Sequence, residues 1–253
     1  MKNGVKGLVL IGLGFFLISR LNNGTIFFYI NSRFVWLTLL AGIGFFLVAA
    51  GYLFESQAAR SSHAGEDHDH ADHDHHDHHD HSHNLSRIGL LLILLPIVLG
   101  TLIPPRPLGA TAMADREVSV SGLSSAVAPK SSQVASSDHK KNLLDWLVAF
   151  DAKNDPQAFD GQEAEVVGFV YRDGRFADDT FMVSRFIVSC CVADATPIGL
   201  IVQWPDAASL KTDSWVEVSG AFQAGEFDGQ KTPILVAQQV QPTDPPNQPY
   251  LFP

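Results

Sequence analysis

The chain has 253 residues, enough for a membrane part and one globular domain. Its formal net charge of −10 has the wrong sign for neutralising phosphates and argues against a nucleic-acid partner. Two cysteines, adjacent at positions 190 and 191, exclude a disulfide framework and leave the compartment open.

Lys2 and Lys6 precede an uncharged run from Gly7 to Ser19, closed by Arg20. The run is short for a bilayer span, but Lys6 and Arg20 can snorkel and extend it. Leu21-Asn22-Asn23-Gly24 offers no small-residue cleavage site, so a retained anchor is favoured over a signal peptide. Residues 21–32 mix Phe27, Phe28 and Tyr29 with Asn22, Asn23 and Asn31, which reads as an interfacial turn with aromatic anchors. Arg33 opens a second run, Phe34 to Phe54, uncharged until Glu55 and of bilayer length. Gly42 and Gly44 in it permit close helix–helix approach. Residues 1–60 are therefore expected to form a two-span membrane hairpin.

Residues 61–86 change character. Ten of the eleven histidines lie here: His63, His68, His70, His73, His75, His76, His78, His79, His81 and His83. Seven carboxylates are interleaved with them, and no Lys or Arg occurs between Arg60 and Arg87. With almost nothing apolar to bury, this loop is expected to be disordered without a ligand. Imidazole and carboxylate together suit Zn, Ni, Cu and Co, so the loop is expected to bind several divalent transition ions with little discrimination among them. The alternative is a soluble acidic or pH-responsive spacer. With imidazole pKa values near ~6.5, its charge would swing from about −7 to about +3 on acidification.

A third span is expected over residues 87–106, with Pro96 inside it and Pro104-Pro105 at its end. None of the three runs carries an ionisable group at membrane depth, so they suit an anchor or accessory subunit better than a complete pore. Positive charges are spread almost evenly over the junctions. The Lys2/Lys6 pair favours an N-terminus inside, with the loop cytoplasmic and the C-terminal part outside the plasma membrane.

Residues 107–137 are rich in Ser and Ala and read as a flexible linker. A soluble domain is expected over 138–253. It opens with a helix from Lys140 to Phe150, with Asp138 as candidate N-cap and Leu143, Leu144, Leu147, Val148 and Phe150 on one face. From Glu163 the period becomes two, and five strands follow: Ala164–Tyr171, Phe181–Val188, Ile198–Val202, Trp215–Phe222 and Ile234–Val240. A short helical turn near Ala207–Leu210 separates the third from the fourth. This pattern predicts a five-stranded OB-type barrel with an N-terminal helix; a small open sheet is the rival. The domain holds 17 acidic and 8 basic residues, which disfavours the oligonucleotide ligands of many such barrels.

The chemistry of the domain is concentrated in Arg185–Ala195, RFIVSCCVADA. Neighbours in a regular strand point to opposite faces, so Cys190 and Cys191 can grip one ion only at a bulge or strand end. There, with Asp194, they would form a soft site of two thiolates and one oxygen. A labile vicinal disulfide is a second option, and a buried cysteine beside an incidental one is a third. If the pair is functional, at least one thiol should be partly exposed with a depressed pKa; Arg185 and a bound metal are what could lower it, and Asp194 would oppose it.

Gly168-Phe169-Val170-Tyr171, Arg185-Phe186, the Cys190-Cys191-x-x-Asp194-Ala195 run, Trp215 to Gly220 and Pro249-Tyr250-Leu251 together resemble the YcgQ-like bacterial membrane proteins. Pro104-Pro105-Arg106-Pro107-Leu108 and the His/Asp-rich loop fit the same family. The resemblance implies a permease subunit working with a separate, larger membrane permease, and implies no catalytic activity. Two readings follow. One is an accessory subunit whose loop collects metal; the other is a membrane-anchored thiol or redox protein using Cys190 and Cys191. A hydrolase is disfavoured, since His139 is the only histidine of the soluble domain and no nucleophile motif accompanies it.

A peptide of residues 61–86 should bind more than one Zn(II) at neutral pH and release it as the pH falls through about 6, because protons compete for imidazole. Calorimetry without a binding heat at neutral pH would leave only the spacer.

Overall fold

The computed structural model describes residues 3–61, 87–113 and 141–253. The ten loop histidines, Asp138 and His139 lie outside the described residues. Two compact units emerge: residues 1–26 with 33–105, and residues 27–32 with 106–253.

The first unit contains α1 (Asn3–Asn22), α2 (Val35–Ser61) and α3 (Arg87–Leu102). Small residues let α1 and α2 approach: a Cβ on Gly14 would lie 3.0 Å from the Phe46 ring, and Ala49 is fully buried. Of the expected glycine pair, Gly42 faces Ile18 across the contact, whereas Gly44 looks into open space. Gly7 and Gly14 on α1 supply the rest. Gly4–Asn22 and Ser32–Phe54 are long and apolar enough to cross a bilayer. The apolar stretch of α3, Leu91–Leu102, is shorter than those two. Leu8, Phe15, Leu47 and Phe54 are all exposed, a surface suited to lipid.

The second unit is built on α4 (Leu143–Lys153) and five strands, β1 (Glu163–Tyr171), β2 (Thr180–Ile187), β3 (Thr196–Gln203), β4 (Trp215–Phe227) and β5 (Gln230–Pro242). The helix starts at Asn142, not at Asp138. The Asn142 side chain accepts from the Leu144 and Asp145 N–H groups, and the Asp145 carboxylate accepts from the Asn142 N–H. This box sits directly before the apolar face, so it satisfies the orphan amides where packing begins. Trp146 is buried with Leu143, Leu144, Leu147 and Phe150, while Val148 is only partly covered.

All five strands fall where the period-two pattern places them, but β4 and β5 reach further towards each other. Phe227 pairs with Gln230 across a two-residue turn, with Asp228 at φ 53° and Gly229 at φ 75°. Both central residues have positive φ, which matches the twist of the flanking strands and carries the ladder to the tip. The strands are hydrogen-bonded in the order β1-β2-β3-β5-β4, and β4 closes the sheet onto β1. Only β3 and β5 run parallel. The register of β4 against β5 shifts between Ser219 and Gly220, where a Cβ on Gly220 would lie 2.2 Å from the Val236 carbonyl oxygen. Glycine is required at that close approach. A short 3-10 turn, Ala207–Ser209, precedes β4.

One apolar cluster joins α4 to the inside of the sheet through Phe150, Phe159, Phe181, Phe222 and Leu235. A second forms around Phe169, Met182, Phe186, Trp215 and Tyr250, so β2 is buried on both faces. Two expected boundaries change here. Leu108–Met113, the start of the expected 107–137 linker, packs on the second cluster, with Met113 1% exposed. Phe27–Ser32, expected within the 1–60 hairpin, belongs to the second unit. Apolar burial on the second cluster orders Leu108–Met113, whereas Phe27–Ser32 is held by hydrogen bonds of its backbone and of the Asn31 side chain to residues 188–192.

Phe150 stacks edge-on against Phe159 at 4.7 Å and Phe222 at 5.2 Å. Phe150→Ala should destabilise the domain by about 3–5 kcal/mol through cavity formation. Denaturant unfolding followed by tryptophan fluorescence reads this directly; a loss below about 1 kcal/mol would mean that α4 is not part of the core.

Candidate functional site

The strand β1 pairs with β2 only from Phe169–Tyr171 to Ser184–Met182; its first half pairs with β4. Beyond Ser184, β2 therefore has an edge whose amides need other partners. The C-terminal segment takes part of it. Leu251 N–H donates to the Phe186 carbonyl and Val188 N–H to the Leu251 carbonyl, each at 2.9 Å. Arg185 anchors this segment: its guanidinium donates to the Pro249 and Gln248 carbonyls and lies 5.8 Å from the centre of the Trp215 ring. Burial pulls the Arg185 pKa down to about 10, so it stays charged at neutral pH. The expected role of Arg185 in lowering a cysteine pKa is replaced by this clamp, because its donors are committed to two carbonyls.

Past Ile187 the strand stops, and Ser189–Asp194 turn back into a 3-10 helix, Val192–Asp194, that leads to β3. The Asp194 carboxylate organises the turn. One oxygen accepts from Ser189 N–H at 2.9 Å; the other accepts from Cys190 N–H at 2.7 Å and Cys191 N–H at 3.4 Å. The strand end thus resolves the geometric problem of adjacent cysteines. The two Sγ atoms lie 3.6 Å apart, both thiols are free, and Cys190 is exposed while Cys191 is half-buried. Among the described residues, one group of metal-donor side chains converges: Cys190, Cys191 and Asp194, with donor atoms within 4.8 Å of one another. Two Zn–S bonds of about 2.3 Å at a tetrahedral angle would hold sulfurs about 3.8 Å apart, close to the spacing found here.

A connector that the sequence reading placed at the membrane interface grips the turn. Ile30 bridges Cys191 in antiparallel fashion. Asn31 N–H donates to the Cys190 carbonyl at 3.0 Å, and Val192 N–H donates to the Tyr29 carbonyl at 2.9 Å. The buried Asn31 amide donates to the carbonyls of Val188 at 3.2 Å and Ser189 at 2.9 Å. Tyr250 fastens the same corner, accepting from Leu108 N–H at 2.9 Å and donating to the Phe28 carbonyl at 3.3 Å. Asn31 was the one site residue with no sequence signal beyond an asparagine among aromatics. Its partners are more than 150 residues away, with |i−j| of 157 and 158.

The electrostatics differ from the expectation for a reactive thiol. The Asp194 carboxylate, hydrogen-bonded to the Cys190 thiol, and the neighbouring Cys191 push the Cys190 pKa up to about 11. The thiol is exposed as expected, but its pKa is raised, not depressed. Burial tends to raise the Asp194 pKa, yet the bonds from the Cys190 thiol and the three amides outweigh it and hold the carboxyl below its ordinary value of 3.8.

The molecule so described is a small β-domain carrying an exposed dithiol–carboxylate turn, joined to a unit of apolar helices. The DUF1980 N-terminal domain matches residues 5–119 and the DUF1980 C-terminal domain matches residues 129–253. The chain belongs to this family of uncharacterised YcgQ-like proteins. It is 26% identical over 101 residues to the UPF0703 protein YcgQ of Bacillus subtilis, covering 39% of this chain and 35% of that protein. It is 30% identical over 99 residues to a Streptococcus mutans protein named as a subunit of a two-component membrane permease complex, covering 38% of this chain and 36% of that one. The chain thus aligns with about a third of the length of each.

Replacing Asp194 with Asn should lower the Cys190 pKa from about 11 and raise its labelling rate by iodoacetamide at pH 8, since less thiol is held protonated. Labelling profiles that coincide for the two proteins would refute the coupling of thiol and carboxylate.

Proposed function

We propose that this protein is a membrane-anchored accessory subunit of a two-component permease, a binding subunit and not an enzyme. The family and the name of the Streptococcus relative support the permease role. The observation that carries the reading furthest is the connector. Tyr29–Asn31 lie between α1 and α2 in sequence, yet bond the Cys190–Val192 turn of the β-domain.

The reading carries a topology in which α1 and α2 each cross the bilayer. In it the connector and the β-domain share one side, and α3 is a third span despite its short apolar stretch; the bond between Leu108 and Tyr250 supports this return. With Lys2 and Lys6 inside, the β-domain is extracytoplasmic and the His/Asp-rich loop cytoplasmic. The circular order β1-β2-β3-β5-β4 with one parallel pair, and the turn before β4, support an OB-type barrel.

Divalent transition ions are the solute class that the donors favour. The sequence supplies imidazole and carboxylate groups from His63 to His83, and the β-domain supplies Cys190, Cys191 and Asp194. The thiol-redox reading has less support, because a thiol held near a pKa of about 11 is a poor nucleophile at neutral pH.

Affinity purification of the tagged full chain from detergent-solubilised membranes should bring down a larger polytopic membrane protein in fixed ratio. A chain recovered alone under conditions that preserve other membrane complexes would refute the subunit assignment.

A further inference from the structure

We infer that the Cys190–Cys191–Asp194 turn is a preorganised three-donor site for a Zn(II)-class ion whose fourth coordination position is open, among the described residues, to an incoming donor. The inference rests on the proposed metal reading and goes beyond it, because it states how an ion is held and passed on.

Three observations converge. The first is the donor set. Two thiolates and one carboxylate oxygen suit Zn(II), which prefers four ligands in a tetrahedron. The Sγ···Sγ distance of 3.6 Å already matches one shared ion. The second is the supporting shell. The Asp194 oxygen that accepts from Ser189 N–H carries that one bond from the backbone and keeps a lone-pair site for a metal. Its orientation is set by backbone amides, as that of ligating carboxylates commonly is. The backbone on both sides of the thiols is held by the connector: Asn31 binds the carbonyls of Val188, Ser189 and Cys190, and Tyr29 binds the amide of Val192. Little chain entropy remains to be lost when an ion binds.

The third observation is incompleteness. Among the described residues no fourth His, Cys, Asp or Glu joins the group, and Cys190 and Asp194 are exposed. An open position on an exposed ion is the arrangement of a site that exchanges ligands. On loading, each thiol gives up its proton to solvent and the ion gives up waters. One water stays in the fourth position. An incoming thiolate, imidazole or carboxylate from a partner replaces that water, and the ion leaves by successive ligand exchange with no change of oxidation state.

Co(II) serves as a spectroscopic probe, titrated into the full chain in detergent under reducing conditions. A thiolate-to-Co(II) charge-transfer band should saturate at one equivalent; the loop's imidazoles and carboxylates cannot produce that band. Adding imidazole should shift the ligand-field bands while the charge-transfer band persists. Replacing both cysteines with Ser should abolish the charge-transfer band and leave the loop's own Co(II) uptake. Asn31→Ala should weaken Co(II) binding at this band about 10-fold, with the far-ultraviolet circular dichroism unchanged. No charge-transfer band would remove the metal site altogether, without touching the permease assignment that co-purification tests. Ligand-field bands that imidazole leaves unaltered would mean a closed site and overturn the open fourth position. An Asn31→Ala protein that binds as tightly as the parent would overturn the preorganisation.

Discussion

The end of β2 sets the geometry of everything that carries chemistry here. β1 leaves β2 after Ser184 to pair with β4, so the last residues of β2 run on with one edge bare. Backbone amides taken from water without a partner are costly, and an open edge also invites foreign strands. The chain meets both problems with its own distant segments. Leu251 adds a parallel bridge to Ile187, and Ile30 adds an antiparallel one to Cys191. Those two additions draw the C-terminus, the connector after α1 and the segment after α3 to one corner. Tyr250 bonds to both Phe28 and Leu108 there.

The cysteine turn is a by-product of the same strand end. A continuing strand would have sent the two side chains to opposite faces. The strand stops, and Asp194 caps the turn with three amide hydrogen bonds, which rotates both thiols to one side. The carboxylate therefore has two consequences. It holds the fold of the turn, and it keeps the Cys190 proton in place when no metal competes for it. A cation would reverse the second effect, since it stabilises thiolates and carboxylate together.

Arg185 shows how a charged residue in a chemical motif can be structural. It is 9% exposed in the middle of β2, where an unpaired guanidinium would be costly. Two carbonyls of the C-terminal segment and the face of Trp215 compensate it. The clamp in turn presents Tyr250 and Leu251 to the strand edge. The motif from Arg185 to Ala195 is thus one cooperative piece: its first residue holds the tail, its last acidic residue shapes the turn, and between them Cys190 is left exposed and Cys191 half-buried.

The sequence by itself determined the local elements. Period-two alternation located all five strands, and uncharged runs located α1 and α2. Each of these depends on neighbours a few residues apart, through side-chain alternation or apolar length. Local signals also singled out Cys190, Cys191 and Asp194, whose spacing is short. Only the tertiary structure decided that both thiols share a side, that Arg185 turns to the tail and that Phe27–Ser32 belong with the β-domain. Those outcomes follow from which strand edge is left unpaired after the sheet closes. That is a property of strand order, and no pattern within a window of a few residues encodes it.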